Sequence, residues 1–167
     1  MFKDVPYDRY MTEVNRGLAG SGIFLTAKGE KLNTMTIGWG FVGRMWAMPI
    51  FIVPVRKSRF TYGLIEKSGE FTVSVPFSSL KKELALCGAK SGRDIDKFKE
   101  CGLTPVSGKV VDVPVIEQCD LHFECKVVFK KDVDSNSLNQ EYDTRCYPNG
   151  DYHTLFFGEI VACYMKD

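Results

Sequence analysis

Residues 33–59, NTMTIGWGFVGRMWAMPIFIVPVRKSR, decide how the rest of the chain is read. The stretch opens in strict alternation. Asn33, Met35, Ile37 and Trp39 fall on one side, Thr34, Thr36, Gly38 and Gly40 on the other. A period of two over this length marks a half-buried strand, because successive side chains of an extended backbone point to opposite faces. Gly43, Arg44 and Met45 fall in the turn region that follows. Residues 49–55 are apolar at every position, which predicts a second strand covered on both faces. That strand ends abruptly in Arg56, Lys57, Ser58 and Arg59. Three cations and, with Thr61, two hydroxyls at one strand end can seat an anion. The same residues also fit an ordinary hairpin whose basic end is solvated.

Upstream, residues 23–27 read as a strand and 28–30 as its turn, so a hairpin leads into the alternating stretch. Downstream, residues 61–69 read as a short helix with Thr61 as N-cap and Gly69 just past its end. The N-terminus of that helix would face the region of Arg56 and add its dipole to an anion site. Residues 70–75 alternate and are stopped by Pro76. Ser78 or Ser79 caps a helix running to Cys87 and ended by Gly88. The polar, glycine-bearing segment 88–98 is a second site candidate, or else a surface loop of self-paired Arg, Lys and Asp. A short helix terminated by Gly102 follows.

Residues 109–113 and 115–119 read as strands. Residues 121–129 alternate, with Leu121, Phe123, Cys125, Val127 and Phe129 inward. His122, Glu124 and Lys126 point the other way, which makes His122 a surface residue. Residues 130–150 are a hydrophilic connection with Asn149-Gly150 as a turn. Residues 153–164 are apolar on both faces, as expected of a barrel wall that also meets another subunit. About seven short strands with about three short helices between them give a mainly β fold, a small closed or partly closed antiparallel barrel. The whole of 1–167 reads as one domain.

Lys plus Arg number 22 against 21 Asp plus Glu, so the chain carries no general affinity for nucleic acid and any basic site is local. The N-terminal residues lack a signal layout and no apolar run reaches membrane-spanning length, which points to a cytoplasmic protein with no membrane partner. Six cysteines and two histidines show no C-x-x-C pair. That spacing predicts no metal site and reduced, mostly buried thiols, none of them needed for ligand binding.

Six stretches carry a resemblance: NTMTIGW at 33–39, VRKSRFT at 55–61, GEFTVSVP at 69–76, SGRDIDKF at 91–98, GLTP at 102–105 and DYHTLFFGEI at 151–160. Together, and in this order, they resemble the flavin reductase-like family of FMN-binding split barrels, and within it the flavoredoxin-like branch. The resemblance implies a six-stranded Greek-key antiparallel barrel and a homodimer, with FMN held non-covalently near the subunit interface. It implies Asn33 and Trp39 beside the flavin ring and Thr36 nearer the phosphate side. Arg56 and Thr61 would surround the phosphate or ribityl chain, with Ser91 and Lys97 in the charged loop and His153 at the start of the last strand. No catalytic acid or base and no metal ligand is implied, because the cofactor carries the chemistry. Alternation puts Thr36 on the face opposite Asn33, so twist or a bulge must bring both to one ligand. Family members often continue beyond the position where this chain stops, which leaves the outer cover of the ring open.

The implied function is an FMN oxidoreductase moving electrons from NAD(P)H through the flavin to free flavin or another acceptor. The alternative is a flavoredoxin-like electron carrier that receives electrons from a partner protein with little NAD(P)H turnover. A barrel holding haem, or no ligand, ranks last.

Overall fold

The alternating stretch and the apolar stretch after it are both strands, yet they do not pair with each other. The computed structural model describes residues 1–166. It begins with β1 (Phe2–Asp4), α1 (Met11–Ala19), β2 (Ile23–Lys28) and β3 (Leu32–Ile37). Then come β4 (Phe41–Met45), β5 (Met48–Arg56), α2 (Phe60–Ser68) and β6 (Glu70–Val75). Next are α3 (Lys81–Ala89), α4 (Lys97–Cys101), β7 (Pro105–Val106) and β8 (Val115–Ile116). The chain finishes with β9 (Leu121–Asp132), a single 3-10 turn (Ser135–Ser137), α5 (Gln140–Cys146) and β10 (His153–Lys166).

The main sheet runs β3-β2-β6-β9-β10-β5-β4, with β1 added to β10, and every pairing in it is antiparallel. Among the described residues the path does not close, and β3 and β4 are its two ends. The mainly β, split-barrel architecture with short helices is therefore present. β3 pairs with β2, and β5 lies at the other side of the sheet beside β10. The segment 43–45, expected as a turn, lies in β4, and the β4–β5 reversal falls at Trp46 and Ala47, with φ of 52° and 61°. A two-residue turn with both φ positive matches the twist of its flanking strands, and here it forms without the glycine or asparagine that would announce it.

Phe51, Val53, Phe71, Val73, Phe123 and Phe156 fill the interior between the strands. Each such side chain contributes about 1.5–3 kcal/mol on burial. A second cluster, built on Phe24, Leu84, Cys87, Phe98 and Ile116, fixes α3 and α4 to the outside of β2. β2 and β6 are buried on both faces for this reason, the core on one side and helices or loops on the other. Gly158 sits at a register shift between β10 and β9. A Cβ there would lie 2.7 Å from the Cys125 Cβ and press on the Phe71 ring, so the strand can cross the core only at a glycine.

Several local expectations are corrected. Thr61 does not cap α2: Arg59 takes that position and Thr61 is buried one residue inside the helix. Neither Ser78 nor Ser79 caps α3, which starts after Leu80 in a left-handed conformation (φ 60°) and runs through Gly88 to Ala89. Residues 109–113 are a loop, and only Val115–Ile116 pairs as a strand, with Pro105–Val106. Val111 and Val113 alternate because that loop is pressed over the core, not because it is paired.

His122 is not at the surface but fully buried. The outer face of β9 is covered, so a side chain pointing away from the barrel interior still meets protein. Phe2 and Tyr164 place their rings 5.1 and 5.4 Å from the imidazole, and Ser74 Oγ lies 3.1 Å from Nδ1. Nε2 has no hydrogen-bond partner, and burial pushes the ring pKa down to about 4. Beside it the Glu124 carboxylate accepts from the backbone N–H groups of Lys109, Val110 and Val111 and from the Tyr164 hydroxyl, at 2.6–2.9 Å. These bonds tie down the loop over β9 and hold Glu124 below the usual carboxylate range against the opposing effect of its burial.

Candidate functional site

The basic end of β5, the start of α2 and the connection from α3 to α4 meet along one groove. Two adjoining hollows make it up. The first, of about 220 Å³, is lined by Thr36, Trp39, Pro54, Arg56 and His153 among others. The second, of about 150 Å³, is lined by Asn33, Ser58, Thr61, Lys90, Ser91, Arg93 and Lys97 among others. Met35 and Arg59 line both.

Register brings Arg56 and His153 together in the first hollow, and the curl of the sheet adds the end of β3 and Trp39. His153 opens β10 directly opposite Arg56, the last residue of β5. The indole of Trp39 lies 5.0 Å from the imidazole of His153, whose Nδ1 is 2.7 Å from the Tyr147 hydroxyl. Burial, reinforced by the charge of Arg56, lowers the His153 pKa to about 4, so the ring is neutral near pH 7. Arg56 donates to the carbonyls of Asp151 (3.0 Å) and Cys146 (2.9 Å), and its guanidinium stacks 5.0 Å over Tyr147. Its fork is thus occupied in holding the turn that carries Tyr147 against the groove.

In the second hollow, Asn33 Nδ2 donates to Thr61 Oγ1 at 2.9 Å, joining β3 to α2. Gly92 packs onto this pair so closely that a Cβ would collide with Asn33 Oδ1 and lie 2.8 Å from Phe60. Arg93 donates to the Ser58 carbonyl at 3.0 Å and stacks on Phe60, which closes the loop onto the start of α2. Ser91 Oγ accepts from the Arg93 N–H.

Lys97, the first residue of α4, is only 4% exposed, and its Nζ donates to the Cys87 carbonyl at 2.7 Å. It makes no bond to Asp94 or Asp96 among the described residues, and Asp96 instead caps α4 by accepting from the Lys99 N–H. Burial lowers the Lys97 pKa, the expected response of an ammonium with few partners.

All eight residues singled out in the sequence border this groove. Asn33, Thr61, Ser91 and Lys97 fall in one hollow, Thr36, Trp39, Arg56 and His153 in the other. Thr36 lies with Trp39, and its hydroxyl donates to the Leu84 carbonyl at 2.6 Å, away from Asn33. Thr36 and Asn33 thus part as the alternation expects, but β3 ends at Ile37, so Trp39 lies beyond the strand and joins the hollow of Thr36 instead of that of Asn33. Two further groups bear on the groove: Arg59, one of the three cations at the strand end but not named in the sequence as a cofactor residue, and Tyr147, which backs the first hollow through His153 and Arg56 without lining it. Arg59 spans both hollows, and its guanidinium bonds to no protein group among the described residues. Its only sequence signal is its place in VRKSR. Tyr147 lies in a connection whose composition gave no signal. Among the described residues no group of three or more His, Cys, Asp or Glu gathers as a metal site, and no helix is long and apolar enough to cross a membrane.

Residues 16–167 match the model of the flavin reductase like domain. The chain belongs to the flavin reductase-like family. An uncharacterized protein of Archaeoglobus fulgidus is 37% identical over 132 residues, 79% of this chain, and the chain spans 64% of that relative's length. Two solved structures of the flavin reductase-like fold are similar to it. The flavoredoxin of Methanosarcina acetivorans has a TM-score of 0.68 at 28% identity, covering 87% of this chain and 69% of that one. The flavoredoxin of Desulfovibrio vulgaris (Miyazaki F) has a TM-score of 0.70 at 25% identity with the same coverage.

Proposed function

We propose that the groove holds FMN and that the chain is an FMN-dependent oxidoreductase passing electrons from NAD(P)H to free flavin or another acceptor. The observation that carries this reading is Lys97, a buried ammonium that uses one of three N–H donors on protein and borders a hollow ringed by Arg59, Lys90 and Arg93. An isolated buried charge is costly, and a phosphate dianion would compensate it. The close approach of Gly92 to Asn33 leaves backbone, not side chain, on that wall, as a tightly held ligand requires.

On this reading the cationic hollow takes the phosphate, and the hollow of Trp39 and His153 takes the ring. Bound FMN supplies two-electron transfer, and the chain supplies position and field. Arg59, unspent on protein, reaches the ligand from between the hollows. Neutral His153 is fixed by Tyr147 and orients the ring instead of exchanging a proton. Arg56 acts through Tyr147 and the turn it holds.

The flavoredoxin matches favour a second reading, an electron carrier fed by a partner protein. Purified protein is expected to show oxidised-flavin absorbance released by acid, and a protein that binds no flavin would end both readings. In stopped-flow, bleaching by NADH or NADPH within a turnover supports the reductase. Bands that persist with both nicotinamides yet bleach with dithionite support the carrier.

A homodimer belongs to the same proposal. Trp46 meets Phe129 and Phe157 at 5.6 and 5.8 Å in an aromatic cluster that stays largely exposed, and Phe41 nearby on β4 is 66% exposed. An exposed cluster of large aromatic side chains is the kind of surface a second copy would cover. Sedimentation equilibrium is expected to give twice the 18.9 kDa chain mass, and Trp46→Glu to shift it toward the monomer. A monomer mass for the native chain at micromolar concentration would refute it.

A further inference from the structure

Cys87 on α3 and Cys101 on α4 hold their sulfurs 3.8 Å apart as free thiols. A disulfide requires about 2.05 Å, so the two sulfurs must close by roughly 2 Å, through side-chain rotation or a small shift of α4 on α3. Cys87 is buried beneath the second hollow of the groove, whereas Cys101 is partly open to solvent. The segment between them is the wall of that hollow. α4 is already tied to Cys87 at its first residue, where Lys97 donates to the Cys87 carbonyl, and its last residue is Cys101 itself. Gly102 follows at φ 61°, a left-handed stop that lets the chain turn away directly after the thiol.

We propose that Cys87 and Cys101 form a reversible dithiol–disulfide site oxidised by peroxide, whose closure clamps α4 onto α3 behind the cationic end of the groove. The accessible Cys101 sulfur, as thiolate, attacks one peroxide oxygen. The O–O bond breaks, the departing hydroxide takes up the proton that Cys101 released and leaves as water, and Cys101 becomes a sulfenic acid. The Cys87 sulfur then loses its proton and attacks the Cys101 sulfur, the S–O bond breaks, and hydroxide leaves with that proton as a second water. Two thiols and one hydrogen peroxide give one disulfide and two waters. Burial raises both thiols, Cys87 to about 12, which slows attack by either, and exposure assigns the partly open Cys101 as the attacking and the buried Cys87 as the resolving partner. The other close candidates for oxidation, Cys125 and Cys163, lie in the barrel core, where an oxidant has no access.

The disulfide stands apart from the FMN reading, but its effect on the groove rests on it, so the test has two arms. Reduced protein is treated with one equivalent of hydrogen peroxide, then denatured and its thiols counted. The count is expected to fall from six to four and to return to six with dithiothreitol. Proteolysis and mass spectrometry are expected to find residues 87 and 101 joined. In Cys101→Ser the linked peptide should vanish and Cys87 remain a thiol. A cross-link elsewhere, such as Cys125 to Cys163, or oxidation of Cys101 to the sulfinic acid with Cys87 still free, would overturn the site, and so would an unchanged count of six. In the second arm FMN is titrated into the reduced and oxidised apo-proteins. The clamped wall is expected to bind about threefold tighter, because less ordering is left to the ligand. Equal affinities overturn the coupling, while no binding by either form overturns the FMN reading and leaves the cross-link result standing.

Discussion

Replacing Lys97 by Met should weaken FMN binding by about ten- to a hundred-fold and leave riboflavin, which lacks the phosphate, within a few-fold of the native value. A charged hydrogen bond to a phosphate is worth about 1.5–3 kcal/mol, and that range sets the size of the loss. Met retains most of the volume and the apolar stem, so the packing of Phe98 and Leu84 beneath α4 is spared. The competing role is structural: the ammonium already serves the Cys87 carbonyl near the end of α3. Were that its whole purpose, the variant would lose stability, but FMN and riboflavin would bind in the native ratio. Titration of the apo-variant with both ligands separates the cases. Equal losses would move Lys97 from the phosphate toward the ring, and no loss for either would remove it from the site.

Glu124→Ala should destabilise the fold by about 3 kcal/mol or more in urea unfolding, and Glu124→Gln by less. The carboxylate satisfies three consecutive backbone N–H groups and the Tyr164 hydroxyl, and truncation leaves these donors facing an apolar wall. A loss below about 1 kcal/mol would mean that water replaces the carboxylate and that the loop over β9 does not depend on it. Acid should act on the same region. Glu124 titrates below its usual value of 4.5, so its contribution is complete above that pH and is lost as pH falls through the lowered value. His122 behaves in the complementary way. Its pKa is about 4 in the fold against 6.5 ordinarily, so between those values the unfolded chain binds the extra proton. Stability is therefore complete above about pH 6.5 and declines toward pH 4, by about 3 kcal/mol from this one ring. His153 adds a decline over the same window. His122→Gln should remove roughly half of the slope between pH 6.5 and 4, and an unchanged slope would place the effect elsewhere.

The sequence by itself marked strands at residues 23–27, 49–55, 70–75, 121–129 and 153–164, because alternation and unbroken apolar runs are properties of a short segment and survive any tertiary arrangement. But it read 130–132, the end of β9, as part of a hydrophilic connection and carried the alternation past Ile37, where β3 ends. It also determined that cations, hydroxyls and a glycine-bearing loop had to collect near the end of β5 if the six matching stretches share a fold. Which of those groups remained available was a tertiary matter. Arg56 spends its fork on two carbonyls supplied by a distant turn, Arg59 three residues later spends none, and no local pattern distinguishes them. The burial of Lys97 against α3 was equally hidden, since SGRDIDKF reads as either a site loop or a surface loop of self-paired charges until Phe98 is seen to pull α4 inward. His122 shows the same limit from the other side. Period two assigned it to the outer face of β9 correctly, but whether an outer face meets water or Phe2 and Tyr164 depends on segments more than forty residues away in each direction. Periodicity fixes the direction in which a side chain points, and only the assembled sheet decides what it meets there.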